Sequence, residues 1–248
     1  LMAHLLEEIA RFAASPALRA LVITGCDPVF SSGANIKGFQ RSIDERRDEL
    51  APEPTIWEDL DAGWYEEAAG KAIGPDLVRA LYNLQKPSIA AVNGPAFGFG
   101  CGVALSCDIR IASERAAFSE AFVRYGLPSA DGSCWQLPRL IGMGNTLYMQ
   151  YTAEPVDAAE AHRLGLVSKV VAHDRLMETT MALAQRLGSG ATQAYALTKM
   201  LVLKSFGQSF PESLADGARA QTLTRRTEDY REGVRAFIEK REPQFKGR

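Results

Sequence analysis

Apolar positions Leu5, Leu6, Ile9, Phe12 and Ala13 recur at helical spacing, and Ser15-Pro16 stops the helix they predict. Two runs of strand length follow, Leu21-Val22-Ile23-Thr24 and Ser88-Ile89-Ala90-Ala91-Val92. Both are β-branched and nearly all apolar, the signature of parallel strands covered on two faces. Before the second, Leu77, Val78, Leu81 and Leu84 define the inner face of a helix that ends at Lys86-Pro87. Gly102 through Ser106 reads as a small-residue helix and Asp108 to Ala112 as a returning strand. Phe118 to Leu127 then leads into the turn Pro128-Ser129-Ala130-Asp131-Gly132. From Gly144 onward helices dominate: one over Thr146 to Tyr151, one over Asp157 to Leu164 capped by Gly165, and two or three more after Val167 to Val171. Repeated strand, loop and helix units joined by crossovers predict α/β layering, followed by a helical tail.

A polar stretch from Gln40 to Gly74 interrupts this pattern. Its first half is charged and reads as a mobile helix or lid; its second half carries Trp57, Trp64 and Tyr65, together with Glu58, Asp59, Asp61, Glu66 and Glu67. The aromatics either anchor a loop or shape a pocket, and an acid buried beside them would have a raised pKa.

With 248 residues, 46% hydrophobic and 23% charged, the chain can bury a full core. A formal charge of -2 supplies no basic field for nucleic acid, and no apolar run is long enough to cross a bilayer. Cys26, Cys101, Cys107 and Cys134 lack CxxC spacing, and with only three histidines no metal site is predicted. A soluble protein in the reducing cytoplasm is expected. The chain is already in helical period at Leu1 and has no leader, which predicts that it starts within a longer polypeptide.

Two glycine-bearing segments carry the candidate chemistry, Phe30-Ser31-Ser32-Gly33-Ala34-Asn35-Ile36 and Asn93-Gly94-Pro95-Ala96-Phe97-Gly98-Phe99-Gly100-Cys101-Gly102. Each leaves a buried strand, and together they can aim free backbone amides into one pocket, as an oxyanion hole requires. A dinucleotide fingerprint fits poorly: the third glycine falls one residue early, and no acidic residue stands at the end of a second strand. Either segment alone would read as a tight-packing junction.

These residues resemble the crotonase, or enoyl-CoA hydratase/isomerase, superfamily. The first fingerprint runs from Leu21-Val22-Ile23-Thr24-Gly25 to Ile36-Lys37, and the second from Lys86-Pro87-Ser88 to Cys107-Asp108-Ile109-Arg110. Glu160-Ala161-His162-Arg163-Leu164-Gly165-Leu166-Val167 and Glu232-Gly233-Val234-Arg235-Ala236-Phe237-Ile238-Glu239-Lys240-Arg241 complete the series. The resemblance implies a spiral ββα core over residues 1–173 that binds acyl-CoA, and an α-helical C-terminal oligomerisation region over 174–248. It implies a homotrimer or dimer of trimers. Coenzyme A would enter only as part of the thioester substrate, with no permanently bound cofactor. The amides of Ala34 and Phe99 would hold the thioester oxygen and stabilise an enolate. Ala34, Asn35, Ile36 and Lys37 would line the CoA site, and Phe237 and Lys240 would reach CoA.

Hydratases of this family hold the reacting water between two glutamates, and the matching positions here are Gly102 and Phe122. Neither accepts a proton, so isomerase-like proton transfer is expected ahead of hydration. Asp131 and Glu120 are the candidate acids. Some isomerase-like members carry an aspartate one residue before Asp131, at the position of Ala130. Asp131 equally reads as a turn residue beside Gly132, and Glu120 as a solvated or ion-paired acid. His4, His162 and His173 have no serine or carboxylate spacing around them and receive no role. The alternative to an enzyme is a catalytically silent acyl-CoA-binding or assembly subunit.

Overall fold

The structure, a computed structural model, describes residues 1–33, Gln40, Asp44 and 73–248. Strands β1 (Leu21–Thr24), β2 (Ser88–Val92), β4 (Ile109–Ser113) and β7 (Lys169–Val171) form an all-parallel sheet in the order β1-β2-β4-β7. A second, smaller sheet joins β3 (Ala96–Phe97), β5 (Ala117–Ser119) and β6 (Val156–Asp157). Every residue of β2 is buried, which accounts for its unbroken apolar run. Ala90 and Val92 pack into the main core, while Ile89 and Ala91 face a second cluster containing Leu176 and Ala184.

The main core is filled by α1 (Met2–Ala14), α2 (Ile73–Tyr82) and α3 (Phe99–Ser106). Gly100 to Ser106 are all buried, so α3 is apolar all round, as a helix with no solvent face must be. Ile9 and Phe12 of α1 and Leu77, Leu81 and Leu84 are buried as their spacing predicts.

Helix α3 begins at Phe99, where Gly98 turns the chain at φ 51°, and continues through Gly102 to Ser106; burial overrides the poor helix propensity of Gly100 and Gly102. Helix α4 (Ser133–Thr152) is two helical stretches joined by a kink at Gly142, whose φ 77° and ψ 160° are non-helical; the expected helix over 146–151 lies in the second stretch, and the first, which contains Pro138, was not predicted. Beyond α5 (Ala158–Leu164), four helices follow instead of two or three: α6 (Leu176–Gly188), α7 (Thr192–Ser205), α8 (Phe210–Thr224) and α9 (Glu228–Glu239). The α5 boundaries are as read, with Asp157 accepting from the Glu160 amide and Gly165 left-handed at φ 86°.

Helix α6 closes the outer face of the sheet through Leu176 and Ala184. The buried guanidinium of Arg110 donates to three carbonyls, those of Leu166, Leu105 and Cys107, and so ties β4 to the end of α3 and to the segment after α5. The C-terminal tail folds back on α9, where Asp229 accepts from the amides of Lys246 and Gly247. Among the described residues no helix is long and apolar enough to cross a membrane, and no cluster of His, Cys, Asp or Glu has the makings of a metal site.

Candidate active site

The two glycine segments meet. Ser31 bridges Ala96 in parallel, with the Phe97 amide donating to Ser31 O at 2.9 Å and the Ser31 amide to Pro95 O at 3.0 Å. Gly33, at φ 88°, sits so close to the Phe97 carbonyl that a Cβ there would collide with it; that Cβ would lie 3.7 Å from the Phe99 nitrogen. Gly33 therefore lies directly beside the first turn of α3. Ala34, Asn35, Ile36 and Lys37 lie outside the described residues, as do Trp57, Trp64, Tyr65 and the acids between Glu58 and Glu67.

Phe99 is the first residue of α3, so its amide has no partner within the helix and sits at the positive end of the helix dipole. The turn that presents it is fixed from below by the Gly98 amide, which donates to Ser119 O at 2.7 Å. The Phe99 ring packs on Gly74 at the start of α2, where an added Cβ would approach it to 3.0 Å.

Glu120 and Asp131, eleven positions apart in the chain, are both fully buried and electrostatically linked. Glu120 is therefore not the solvated or ion-paired acid of the plain reading. It leaves β5 pointing inward, and its Oε2 accepts from the hydroxyls of Ser129 and Ser133, each at 2.9 Å. Burial, and next the charge of Asp131, push the Glu120 carboxyl up to about 7. Burial also raises Asp131, although the Ser133 amide donates to its Oδ1 at 3.1 Å. Glu120 Oε1 and Asp131 Oδ2 are buried without a hydrogen-bond partner. Each buried carboxylate disfavours the charge of the other, so both carboxyls hold their protons to higher pH than a free acid.

Asp131 owes its place to Gly102. A Cβ on Gly102 would collide with the Asp131 carboxyl, so the carboxyl fills the space a side chain from α3 would have taken. Gly102 lies one helical turn beyond Phe99 and on the same face. Beside the pair sits the buried Cys101 thiol, pushed well up by burial and by the Glu120 charge, and hence neutral. Phe122 stands near Gly98, 4.0 Å from the position of a Cβ there.

Sequence reasoning missed the two serines that clamp Glu120, which no spacing marks out. It also missed the surroundings of His173. Its Nδ1 lies 3.0 Å from Ser113 Oγ and its Nε2 3.3 Å from Asp27 Oδ2, partners 60 and 146 positions away. Ser113 is fully buried and also accepts from the Arg115 amide, so this row ties loops together and offers no nucleophile. Phe237 is 85% exposed and lines a surface hollow with Tyr230 and Phe245 that shares no residue with the acid pair. Lys240 caps α9 in the left-handed conformation at φ 53°.

A family model described as enoyl-CoA hydratase/isomerase matches residues 1–248. The short-chain-enoyl-CoA hydratase of Clostridium acetobutylicum is 41% identical over 177 residues, covering 71% of this chain and 68% of that protein. The crotonyl-CoA hydratase of Syntrophomonas wolfei is 34% identical over 231 residues, 93% of this chain and 81% of that protein. The crystal structure of an enoyl-CoA hydratase from Bacillus anthracis superposes with a TM-score of 0.83 at 28% identity, covering 100% of this chain and 88% of that one.

Proposed function

Because the chain belongs to the enoyl-CoA hydratase/isomerase family, we propose that it is an acyl-CoA enzyme in which Asp131 and Glu120 move a proton on a thioester enolate. The observation that carries this reading is the Asp131 carboxyl set into the space at Gly102, one turn of α3 from the free amide of Phe99. The thioester oxygen accepts from the amides of Phe99 and Ala34. The ionised member of the acid pair takes a proton from the acyl chain, and the charge moves onto the held oxygen. Fixed backbone donors stabilise that charge without reorganising. The same proton, or the one on the partner carboxyl, returns to a different carbon. A carboxyl that titrates near pH 7 suits a group that must act as base and then as acid.

Hydration is the second reading, favoured by the names of the relatives, which are hydratases. In it the free oxygens Glu120 Oε1 and Asp131 Oδ2 would hold the water. A homotrimer or dimer of trimers, with residues 174–248 as the contact region and Phe237 and Lys240 reaching CoA, is part of the proposal; the exposed apolar residues Phe237 and Ile238 support it. A reducing, cytoplasmic setting fits the four free cysteines.

The test is incorporation of deuterium from buffer into a panel of acyl-CoAs, read by mass spectrometry, with a parallel run in oxygen-18 water. Exchange with double-bond migration and no oxygen-18 supports the isomerase reading. A hydroxyacyl-CoA carrying oxygen-18 supports hydration. Saturable binding without exchange or product would overturn both in favour of a silent binding subunit.

A further inference from the structure

Asn93 follows β2 directly, is buried, and turns its whole amide onto the loop that leaves β1. Its Oδ1 accepts from the Gly25 amide at 3.1 Å, and its Nδ2 donates to Asp27 Oδ1 at 2.8 Å and to Val29 O at 3.4 Å. A side-chain amide supplies an acceptor and two donors together, a set that neither a carboxylate nor an apolar side chain of the same size can make. The Asn93 bond holds the Asp27 carboxyl below the usual carboxylate range, so the acceptor is ionised and the bond is charge-assisted. On its other side Asp27 Oδ2 faces His173 Nε2 at 3.3 Å, and His173 Nδ1 meets Ser113 Oγ at 3.0 Å. Asn93, Asp27, His173 and Ser113 stand at or just past the C-terminal ends of β2, β1, β7 and β4, so the row crosses that edge of the whole parallel sheet. In open parallel sheets this is the edge at which ligands bind.

Both loops joined at Asn93 lead to the oxyanion segments. Val29 stands four positions before Gly33, and Asn93 six before Phe99. The backbones are packed with no room for side chains: a Cβ at Gly94 would collide with Pro28 O, and one at Gly25 with Val29 O. Just beyond, the Phe30 and Ser31 amides both donate to Pro95 O, at 3.1 and 3.0 Å. Asn93 therefore clamps the loops between the last pair of the β1–β2 ladder, Thr24 with Ala91, and the bridge from Ser31 to Ala96. The clamp sits where the two glycine segments leave the sheet.

We propose that Asn93, oriented by Asp27, is a positioning residue for the oxyanion hole: it fixes the spacing of the two glycine segments and with it the aim of the Phe99 amide at the thioester oxygen. The proposal rests on the acyl-CoA reading above and adds to it the side chains that hold the donors in place. Neither Asn93 nor Asp27 is a catalytic residue; both act through backbone. Misplacement by about 1 Å from a change remote from the chemistry can cost about 10²-fold in rate, so loosening the clamp weakens the enolate far more than the bound ground state.

The experiment reads the hole without turnover. Acetoacetyl-CoA forms an enolate that absorbs in the near ultraviolet, so its enolate-to-keto ratio when bound reports the donors, while calorimetry with butanoyl-CoA reports ground-state binding. In Asn93→Ala the bound enolate-to-keto ratio should fall at least about tenfold, with the butanoyl-CoA dissociation constant nearly unchanged. Asp27→Ala should give a smaller fall, because Gly25 and Val29 still hold Asn93. Asn93→Asp sets two carboxylates against each other and should lose the most enolate; adding Asp27→Asn to it again places a donor opposite an acceptor and should recover most of the loss. Far-ultraviolet circular dichroism verifies folding, and where Asn93→Ala does not fold, Asp27→Ala and the exchanged pair decide. An unchanged ratio in the folded single variants, an equal loss of enolate and of butanoyl-CoA binding, or an exchanged pair no better than Asn93→Asp alone overturns the positioning role. A wild-type protein that binds butanoyl-CoA yet enolises no acetoacetyl-CoA overturns the oxyanion hole itself, and one that binds neither overturns the acyl-CoA reading.

Discussion

The carboxyl group of Asp131 occupies the volume that a side chain at Gly102 would need, so these two residues form one unit. The glycine removes a group from α3 and the turn before α4 puts one back in the same place. Gly102→Ala should therefore be costly although helix propensity favours alanine. The clash falls on buried, hydrogen-bonded atoms, and overpacking of this kind costs about 1–3 kcal/mol. Urea unfolding measures it, and a variant as stable as the wild type would refute the contact.

Asp131→Asn keeps the shape and removes the base. Deuterium exchange into the preferred acyl-CoA should fall by about 10²–10⁴-fold, the usual range for a lost general base, with the thioester dissociation constant nearly unchanged. Glu120→Gln should slow exchange less and abolish its dependence on pH near 7. Full exchange in Asp131→Asn would move the chemistry elsewhere.

Stability should carry the same signature. Glu120 titrates near 4.5 in the unfolded chain and near 7 in the folded one, so folding binds its proton more tightly. The contribution is whole below about pH 4.5 and is lost as pH rises through about 7. Glu120→Gln has no such titration. The difference between wild-type and variant stability should shift by on the order of 2–3 kcal/mol between pH 5 and 8. Parallel curves would show that burial does not hold the proton.

The strands, the helix caps and the meeting of the glycine segments were legible because each is written in local pattern: β2 is apolar at four of five positions, and Asp157 and Gly165 bracket α5. The acid pair was legible only as two separate candidates. What joins them is the path from β5 through Ser129 to Ser133, and the inward turn of Glu120 depends on hydroxyls whose spacing is unremarkable. In α3 burial outweighs the glycine penalty, so Gly100 and Gly102 stay helical, whereas the exposed Gly142 does break α4. The stretch of α4 before that break was not legible because Pro138 masks its helical pattern.

Arg110 has three carbonyl partners and no carboxylate among them, so its removal strands several buried acceptors at once. Arg110→Met should destabilise the fold by at least about 3 kcal/mol, lowering the denaturation midpoint with little change in slope. A loss below about 1 kcal/mol would mean the carbonyls find other donors.

Phe237 and Ile238 stand 85% and 73% exposed on one turn of α9, a poor surface for an isolated chain. Phe237→Asp with Ile238→Asp should convert the proposed trimer to monomer in light scattering. A wild-type protein that is monomeric at micromolar concentration would overturn the oligomer.

The parallel pairing of Ser31 with Ala96 joins segments 65 positions apart, and the acids arrive from later still. The site's parts, some of them local turns, are brought together only by pairings distant in sequence. Contacts of such long sequence separation form late, after the loops between them have been closed at an entropic cost. During refolding, helical signal should return first and thioester binding afterwards. The wait for parts that meet last then falls on catalysis, so a partly folded chain is helical, compact and inactive.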